Sequence, residues 1–451
     1  MDMKRHIDRR DFLKTSATAA AAATVAACAP GKVRELLSDD GSRDDSGEMT
    51  CRTDPRTGAK VSLLGYGCMR WPMTEEDGKS EIDQEKVNEL VDYAIEHGVN
   101  YFDTAPVYIQ GKSESATAEA LSRHPRESYY IATKLSNFSN YTRENSILMY
   151  RKSLENLRTD HIDYYLLHAI GNGGIDLYKK RFVDNGMIDF LMKEREEGRI
   201  RHLGFSFHGN KETFDYLMEQ HEAIHWDFVQ IQYNWVDAKH ANPTAGYLYD
   251  ELAKREIPSV IMEPLLGGRL SKVPEHIATR LKEKAPSSSV ASWAFRFAGT
   301  PEKVLTVLSG MTYMEHLEDN IRTYSPLKPL DDGEIKYLSE TSDLLKKYPT
   351  VPCNDCKYCM PCPYGLDIPA ILLHYNKCVN EGLVSADTSD PAYRKARRAY
   401  LIGYNRAVPR ERQAERCINC NECVSHCPQK IRIPHELSKI NNYIEELKKG
   451  L

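Results

Sequence analysis

Between about Lys60 and Tyr324 the chain alternates short β-branched or aromatic runs with amphipathic stretches of helical period, and eight such units can be counted. The pattern predicts strands at Val61–Leu64, Asn100–Thr104, Tyr130–Lys134, Tyr164–His168, Arg201–Ser206, Phe228–Gln232, Ser259–Glu263 and Leu305–Ser309. Helices fill the intervals, as in Glu85–His97, which Gly98 closes. Eight β/α units in about 265 residues match a TIM barrel, whose usual length is ~250. A doubly wound sheet would need a glycine-rich phosphate turn after its first strand. Gly65-Tyr66-Gly67 lacks the third glycine and a well-placed acid.

Eight of the twelve cysteines lie beyond this repeat in two tight runs, Cys353, Cys356, Cys359 and Cys362, then Cys417, Cys420, Cys423 and Cys427. The second run reads C-x2-C-x2-C-x3-C-P, the spacing by which a loop wraps three thiolates around a 4Fe–4S cube. The fourth cysteine, turned by proline, often ligates a neighbouring cluster. C-P-Y-G-L-D-I-P at 362–369 and C-P-Q-K-I-R-I-P at 427–434 share Cys, Pro, an aliphatic, Ile and Pro in register, so the runs are halves of an internal repeat. The first run departs from the bacterial pattern, because only Met360 and Pro361 separate its last two cysteines. Two zinc sites would also suit four thiolates each, but three cysteines at x2 spacing followed by Cys-Pro is iron–sulfur usage. Cys51, Cys68 and Cys378 stand apart, and Cys378 is expected to be a buried structural thiol.

A chain of 451 residues has room for about two or three domains. Its net charge of −5 offers no basic surface for nucleic acid, and no run of 18 apolar residues crosses a bilayer. Asp8-Arg9-Arg10-Asp11-Phe12-Leu13-Lys14 before the alanine-rich run Ala17 to Ala27 resembles a twin-arginine export signal. That route carries folded proteins, which suits clusters inserted in the cytoplasm. Val25-Ala26-Ala27-Cys28 further resembles a lipobox, implying a lipid on Cys28 and a periplasmic or membrane-anchored location. Residues 29–56 are acidic and Ser/Gly-containing, and are expected to be a disordered linker.

In a TIM barrel, chemistry gathers where strands end at the C-terminal face. Asp103 and Tyr108 follow the second strand in Y-F-D-T-A-P-V-Y, Lys134 ends the third in Y-I-A-T-K, and His168 ends the fourth in Y-Y-L-L-H. Over about residues 57–324 these segments resemble the aldo-keto reductase family, whose Asp, Tyr, Lys, His tetrad stands in this order. Carbonyl reduction needs hydride at carbon and a proton at oxygen. A phenol with an unperturbed pKa near 10 becomes a better acid/base beside an ammonium such as Lys134. Asp103 would hold Lys134 in place, and His168 would orient the carbonyl.

The resemblance also implies a nicotinamide cofactor. Ser206, Gln230 and His208, which follows Phe207 where the family has Asn, would hold the carboxamide, and Met262 stands where an aromatic residue stacks on the ring. Ser309, Gly310, Asp319 and Asn320 match the loop and helix start at the adenosine end. Gly310 and His316 replace the Lys and Arg that clamp a 2′-phosphate, so the choice leans to NAD(H) over NADP(H).

The expected organisation is a signal at 1–28, a linker at 29–56, a barrel at 57–324, a helical connector at 325–345 and a mainly α-helical ferredoxin-type domain with two 4Fe–4S clusters at 346–451. Its helices are expected around Ile368–Val379 and Asp390–Tyr404. The function expected is oxidoreduction of a small carbonyl or alcohol, sugar-like by family analogy, with a redox partner protein for the clusters. The rival is an iron–sulfur electron-transfer protein whose barrel is only a docking module.

Overall fold

The computed structural model describes residues 47–76, 79–385 and 388–449, so the signal segment, Cys28 and linker residues 29–46 lie outside the described residues. Within it, β1 (Cys51–Thr53) and β2 (Lys60–Ser62) form an antiparallel hairpin. The expected linker is thus corrected at its end, where Met49 and Asp54 are buried beside β1. The expected first barrel strand is corrected too. Ser62 turns the chain by bonding Leu64 O at 2.7 Å and Asn100 N at 2.9 Å, which places Val61 in the hairpin and starts the barrel strand β3 at Leu64–Gly67.

A second hairpin, β4 (Met73–Glu76) with β5 (Lys79–Ile82), follows β3. Then come β6 (Tyr101–Asp103), β7 (Tyr130–Leu135), β8 (Ile162–Ile170), β9 (Ile200–Phe207), β10 (Phe228–Gln232), β11 (Ser259–Met262) and β12 (Val304–Ser309). Strands β3 and β6 to β12 close into a barrel in sequence order, and every neighbouring pair is parallel. β11 stops one residue short of expectation because Glu263 takes left-handed backbone, φ 56°. Helices pack outside. Gln84–Glu96 starts on the Asp83 cap, and Gly98 at φ 85° ends that turn as only glycine does cheaply.

Side chains alternate across a strand with period two, so one register fills the barrel interior. Tyr101, Ala132, Tyr164, Leu166, Phe228 and Val260 form one buried interior cluster. Two residues further along their strands, the same register aims Asp103, Lys134, His168 and Gln230 at the C-terminal mouth. The polar site is therefore the last interior layer. At the opposite end Tyr164 Oη donates to Asp54 Oδ2 at 3.0 Å, pinning the β1 hairpin beneath the barrel.

Beyond the barrel, the helix Asp332–Leu345 begins on a capping box of Asp331 and Glu334. Helices Ile368–Asn380, Tyr393–Ala407 and Ile433–Lys449 then build a separate core around Leu372, Tyr375, Tyr400 and Ile440. The Ile-Pro of each repeat half opens a helix, where proline's missing N–H costs nothing. Barrel and cysteine domain belong to one unit, Glu48–Leu451. Among the described residues no helix is long and apolar enough to cross a membrane.

Candidate active site and cysteine centres

Lys134 is 1% exposed, and its Nζ donates to Asp103 Oδ1 at 2.5 Å and to Thr104 O at 2.7 Å. Burial pushes the Asp103 carboxyl up and the Lys134 ammonium down, and their mutual attraction opposes both shifts. Tyr108 lies in the turn after β6, whose next residues Ile109 and Gln110 take positive φ. Lys134 Nζ sits 4.8 Å from the centre of its ring. Burial, then the Asp103 charge, push the Tyr108 phenol well above its usual range.

His168 meets Tyr108 edge-on at 5.9 Å between ring centres. Its Nδ1 is 2.5 Å from Ser136 Oγ, and Arg181 Nη2 donates to its carbonyl at 2.8 Å. Burial, then the Lys134 and Arg181 charges, hold the imidazole well below its usual pKa and keep it neutral. The four expected tetrad residues therefore converge.

The expected cofactor residues are less uniform. Gln230 is 2% exposed with its Oε1 unpartnered, whereas Ser206 Oγ already accepts from Ala169 N at 2.8 Å. Burial, then the charge of Lys430, push His208 down to about 4. Met262 ends β11, partly covered. Asn320 Nδ2 donates to Ser309 Oγ at 3.0 Å, while Asp319 faces Arg322 at 3.7 Å. A Cβ on Gly310 would stand 3.1 Å from the Arg70 side chain.

The cysteine runs interleave. One cavity is lined by Cys353, Cys356, Cys359 and Cys427, and a second by Cys362, Cys417, Cys420 and Cys423, with Cys359 shared between the two. The last thiol of each run lies with the other run, Cys427 in the first cavity and Cys362 in the second. Cys378 lies in neither cavity; it is buried, with its Sγ 3.4 Å from His374 Nε2.

The first cysteine loop seals the barrel mouth. Tyr358 Oη lies 3.4 Å from His168 Nε2 and is hydrogen-bonded to the Tyr108 hydroxyl. Asn354 Nδ2 donates to Glu263 Oε1 at 2.9 Å, and Arg70 Nη2 donates to Asn354 O at 2.6 Å. Burial raises the Glu263 carboxyl to about 7, and its Oε2 has no partner. From the second run, Gln429 Nε2 donates to Gln232 Oε1 at 3.0 Å and Lys430 Nζ to Gly209 O at 3.2 Å. Sequence reasoning missed Tyr358, Asn354, Arg70 and Ser136. Only Glu263 carried a signal, as an acid at a strand end.

A parallel barrel with a buried Asp–Lys pair, a phenol and a neutral imidazole at its C-terminal mouth defines an oxidoreductase. The comparisons agree. Residues 63–343 match the aldo/keto reductase family, residues 352–431 a 4Fe–4S dicluster domain, and residues 6–26 a twin-arginine translocation signal. The chain belongs to the aldo/keto reductase family, and its signal supports export by the twin-arginine route. It is 24% identical over 314 residues to an L-galactose dehydrogenase of Arabidopsis thaliana, covering 64% of this chain and 92% of the relative. An uncharacterised oxidoreductase of Bacillus subtilis matches at 24%, covering 62% and 92%. Among solved structures, an aldo-keto reductase from Bacillus halodurans in its holo form superposes with a TM-score of 0.53 at 22% identity, covering 65% of this chain and 96% of that one. One from Klebsiella pneumoniae, solved with NADP and acetate, gives 0.52 at 22% identity, covering 65% and 95%.

Proposed function

We propose that the barrel interconverts a small carbonyl and an alcohol, with Tyr108 giving the proton to the carbonyl oxygen. The observation that carries this reading is the buried Lys134–Asp103 pair beneath the Tyr108 ring, with neutral His168 beside it. A phenol held protonated by burial is a donor at neutral pH. With the Ser136 hydroxyl donating to His168 Nδ1, the ring proton would sit on Nε2, which faces Tyr358 Oη here and would hold the substrate oxygen in its place. Lys134, buried between its two acceptors and the ring, stabilises the charge left on Tyr108 once its proton has gone.

The hydride is assigned to a nicotinamide cofactor, which supplies two electrons and hydrogen at the carbonyl carbon. At the ring end the residues suit it: Gln230 Oε1 is buried without a partner, as a carboxamide N–H would require. At the tail they suit it less, because Arg70, the cation beside Gly310, is already bonded to Asn354 O and 3.5 Å from Asp355 Oδ2. The lean to NAD(H) is retained.

Cys353, Cys356, Cys359 and Cys427 would hold one 4Fe–4S cluster and Cys362, Cys417, Cys420 and Cys423 the other. Among the described residues no three His, Cys, Asp or Glu side chains are grouped as a single ion requires. Three cysteines at x2 spacing followed by Cys-Pro favour cubes over zinc. The clusters carry single electrons and accompany the barrel chemistry, exchanging with a redox partner protein. Sugar-like substrates follow from relatives named L-galactose dehydrogenase and D-arabinose 1-dehydrogenase. Cys28 would carry a lipid anchor, and the barrel, connector and cluster domain would divide near residues 324 and 345.

Tyr108→Phe tests the catalytic reading. Carbonyl turnover should fall at least about a thousandfold, the range of a lost general acid, with cluster absorbance unchanged. Undiminished turnover would remove Tyr108 from the chemistry.

A further inference from the structure

We propose that Asn354–Tyr358 of the first cysteine loop is a built-in occupant of the barrel's ligand groove, so that the docked loop and a bound dinucleotide with its carbonyl substrate exclude one another. This rests on the reading of the groove given under the proposed function.

Three contacts carry it. Tyr358 Oη lies between the Tyr108 hydroxyl, to which it is hydrogen-bonded, and His168 Nε2, 3.4 Å away. Those are the two groups that would hold a substrate oxygen, and here they share a phenol oxygen of the chain itself. The Phe138 ring, 6.2 Å from the Tyr358 ring, keeps the plug in an aromatic socket. Next, Asn354 lies against the β11 loop so closely that a Cβ on Gly267 would stand 2.5 Å from the Asn354 Cα. Gly267, at φ 66°, is the glycine that permits this approach.

Finally, Arg70 holds Asn354 O at 2.6 Å and Asp355 Oδ2 at 3.5 Å while lying beside Gly310. Asn354 and Asp355 thus span the distance from Glu263, next to Met262 at the ring end, to Gly310 at the adenosine end. A dinucleotide joining those ends needs the same strip of surface for its phosphates. The Asp355 carboxylate already faces that strip and would oppose a dianion.

A ligand that needs the groove must displace these bonds. Its apparent affinity is then reduced by the fraction of molecules in which the loop is lifted. The loop is also the strand of chain that carries Cys353, Cys356 and Cys359, so whatever loosens it touches both centres at once.

The test uses the full chain with clusters assembled anaerobically, titrated with NADPH and with NADH by fluorescence. The Tyr358→Ala/Asn354→Ala double variant, checked for the parent's iron content and visible absorbance, should bind at least about tenfold more tightly than the parent, a change of about 1.4 kcal/mol. Tyr358→Phe, which keeps the ring and loses the hydroxyl, should fall between them. Saturating NADPH should speed amide exchange across 354–358 in the parent. Equal affinities with unchanged exchange there would overturn the proposal, as would absence of binding by both forms. A variant that gains dinucleotide affinity yet turns over no carbonyl leaves the occupancy standing and removes Tyr108 from catalysis.

Discussion

Arg70 Nη2 donates to the Asn354 carbonyl at 2.6 Å, tying the turn after the first barrel strand to the first cysteine loop. Bonds from a charged donor contribute about 1.5–3 kcal/mol where they are shielded, and this one is only partly so. Arg70→Ala should therefore cost about 1 kcal/mol and raise amide exchange selectively at 353–356. Unchanged protection there would mean that the loop is held by its remaining contacts alone.

Lys134 and Asp103 are buried together, and removing one leaves the other stranded. Lys134→Met should destabilise the chain by about 3–5 kcal/mol. Adding Asp103→Leu should recover much of that stability in denaturant unfolding without recovering turnover. If the double variant is as unstable as the single one, packing rather than the stranded charge sets the cost.

Burial raises the Tyr108 phenol and lowers the His168 imidazole, so neither changes charge near neutrality. A proton donor with a raised pKa stays loaded below that value. Carbonyl reduction should then be flat from about pH 5 to about pH 9, while alcohol oxidation, which needs the phenolate, climbs through that range without a plateau. An alkaline loss of reduction near pH 8 would point to a different donor.

The interleaved cavities predict crossed phenotypes. Cys427→Ser should disturb the same electron paramagnetic resonance signal as Cys353→Ser, and Cys362→Ser the same signal as Cys417→Ser, each variant dropping from about eight toward about four irons per chain. Pairing by run instead, Cys427 with Cys417, would refute the assignment.

Asp54 is held down to about 2 from its usual value, opposed by burial and favoured chiefly by His202, with backbone N–H groups of Thr57 and Arg56 adding to it. A depressed carboxylate stabilises fully above its unfolded pKa near 3.8 and loses that contribution as pH falls toward 2. Asp54→Asn should lower stability by about 2 kcal/mol at neutral pH, and the gap from the parent should close on titration from pH 5 toward pH 2. A gap that is independent of pH would assign the effect to hydrogen bonding alone.

The barrel was legible because period-two runs and helical stretches alternate, and the tetrad because it ends successive strands. Where the chain departs, local bonds decide. The run Val61–Leu64 reads as one strand, yet Ser62 bends it through Asn100. Cys362 and Cys427, each followed by proline, are the run ends from which a thiol can pass to the neighbouring set, and the packing puts Cys362 in the second cavity and Cys427 in the first. Tyr358 was not legible at all. Its neighbours in sequence are cysteines and lysine, and nothing in that spacing says which surface the loop will meet. Contacts between segments some 190 residues apart leave no period behind.

The crossing of the two cysteine runs also orders events in time. A wall built from Cys353, Cys356, Cys359 and Cys427 stays open during synthesis until residue 427 has left the ribosome. Asn354 lines that wall and also bonds Glu263 at the barrel mouth, so the mouth is finished last, although its strands are made first.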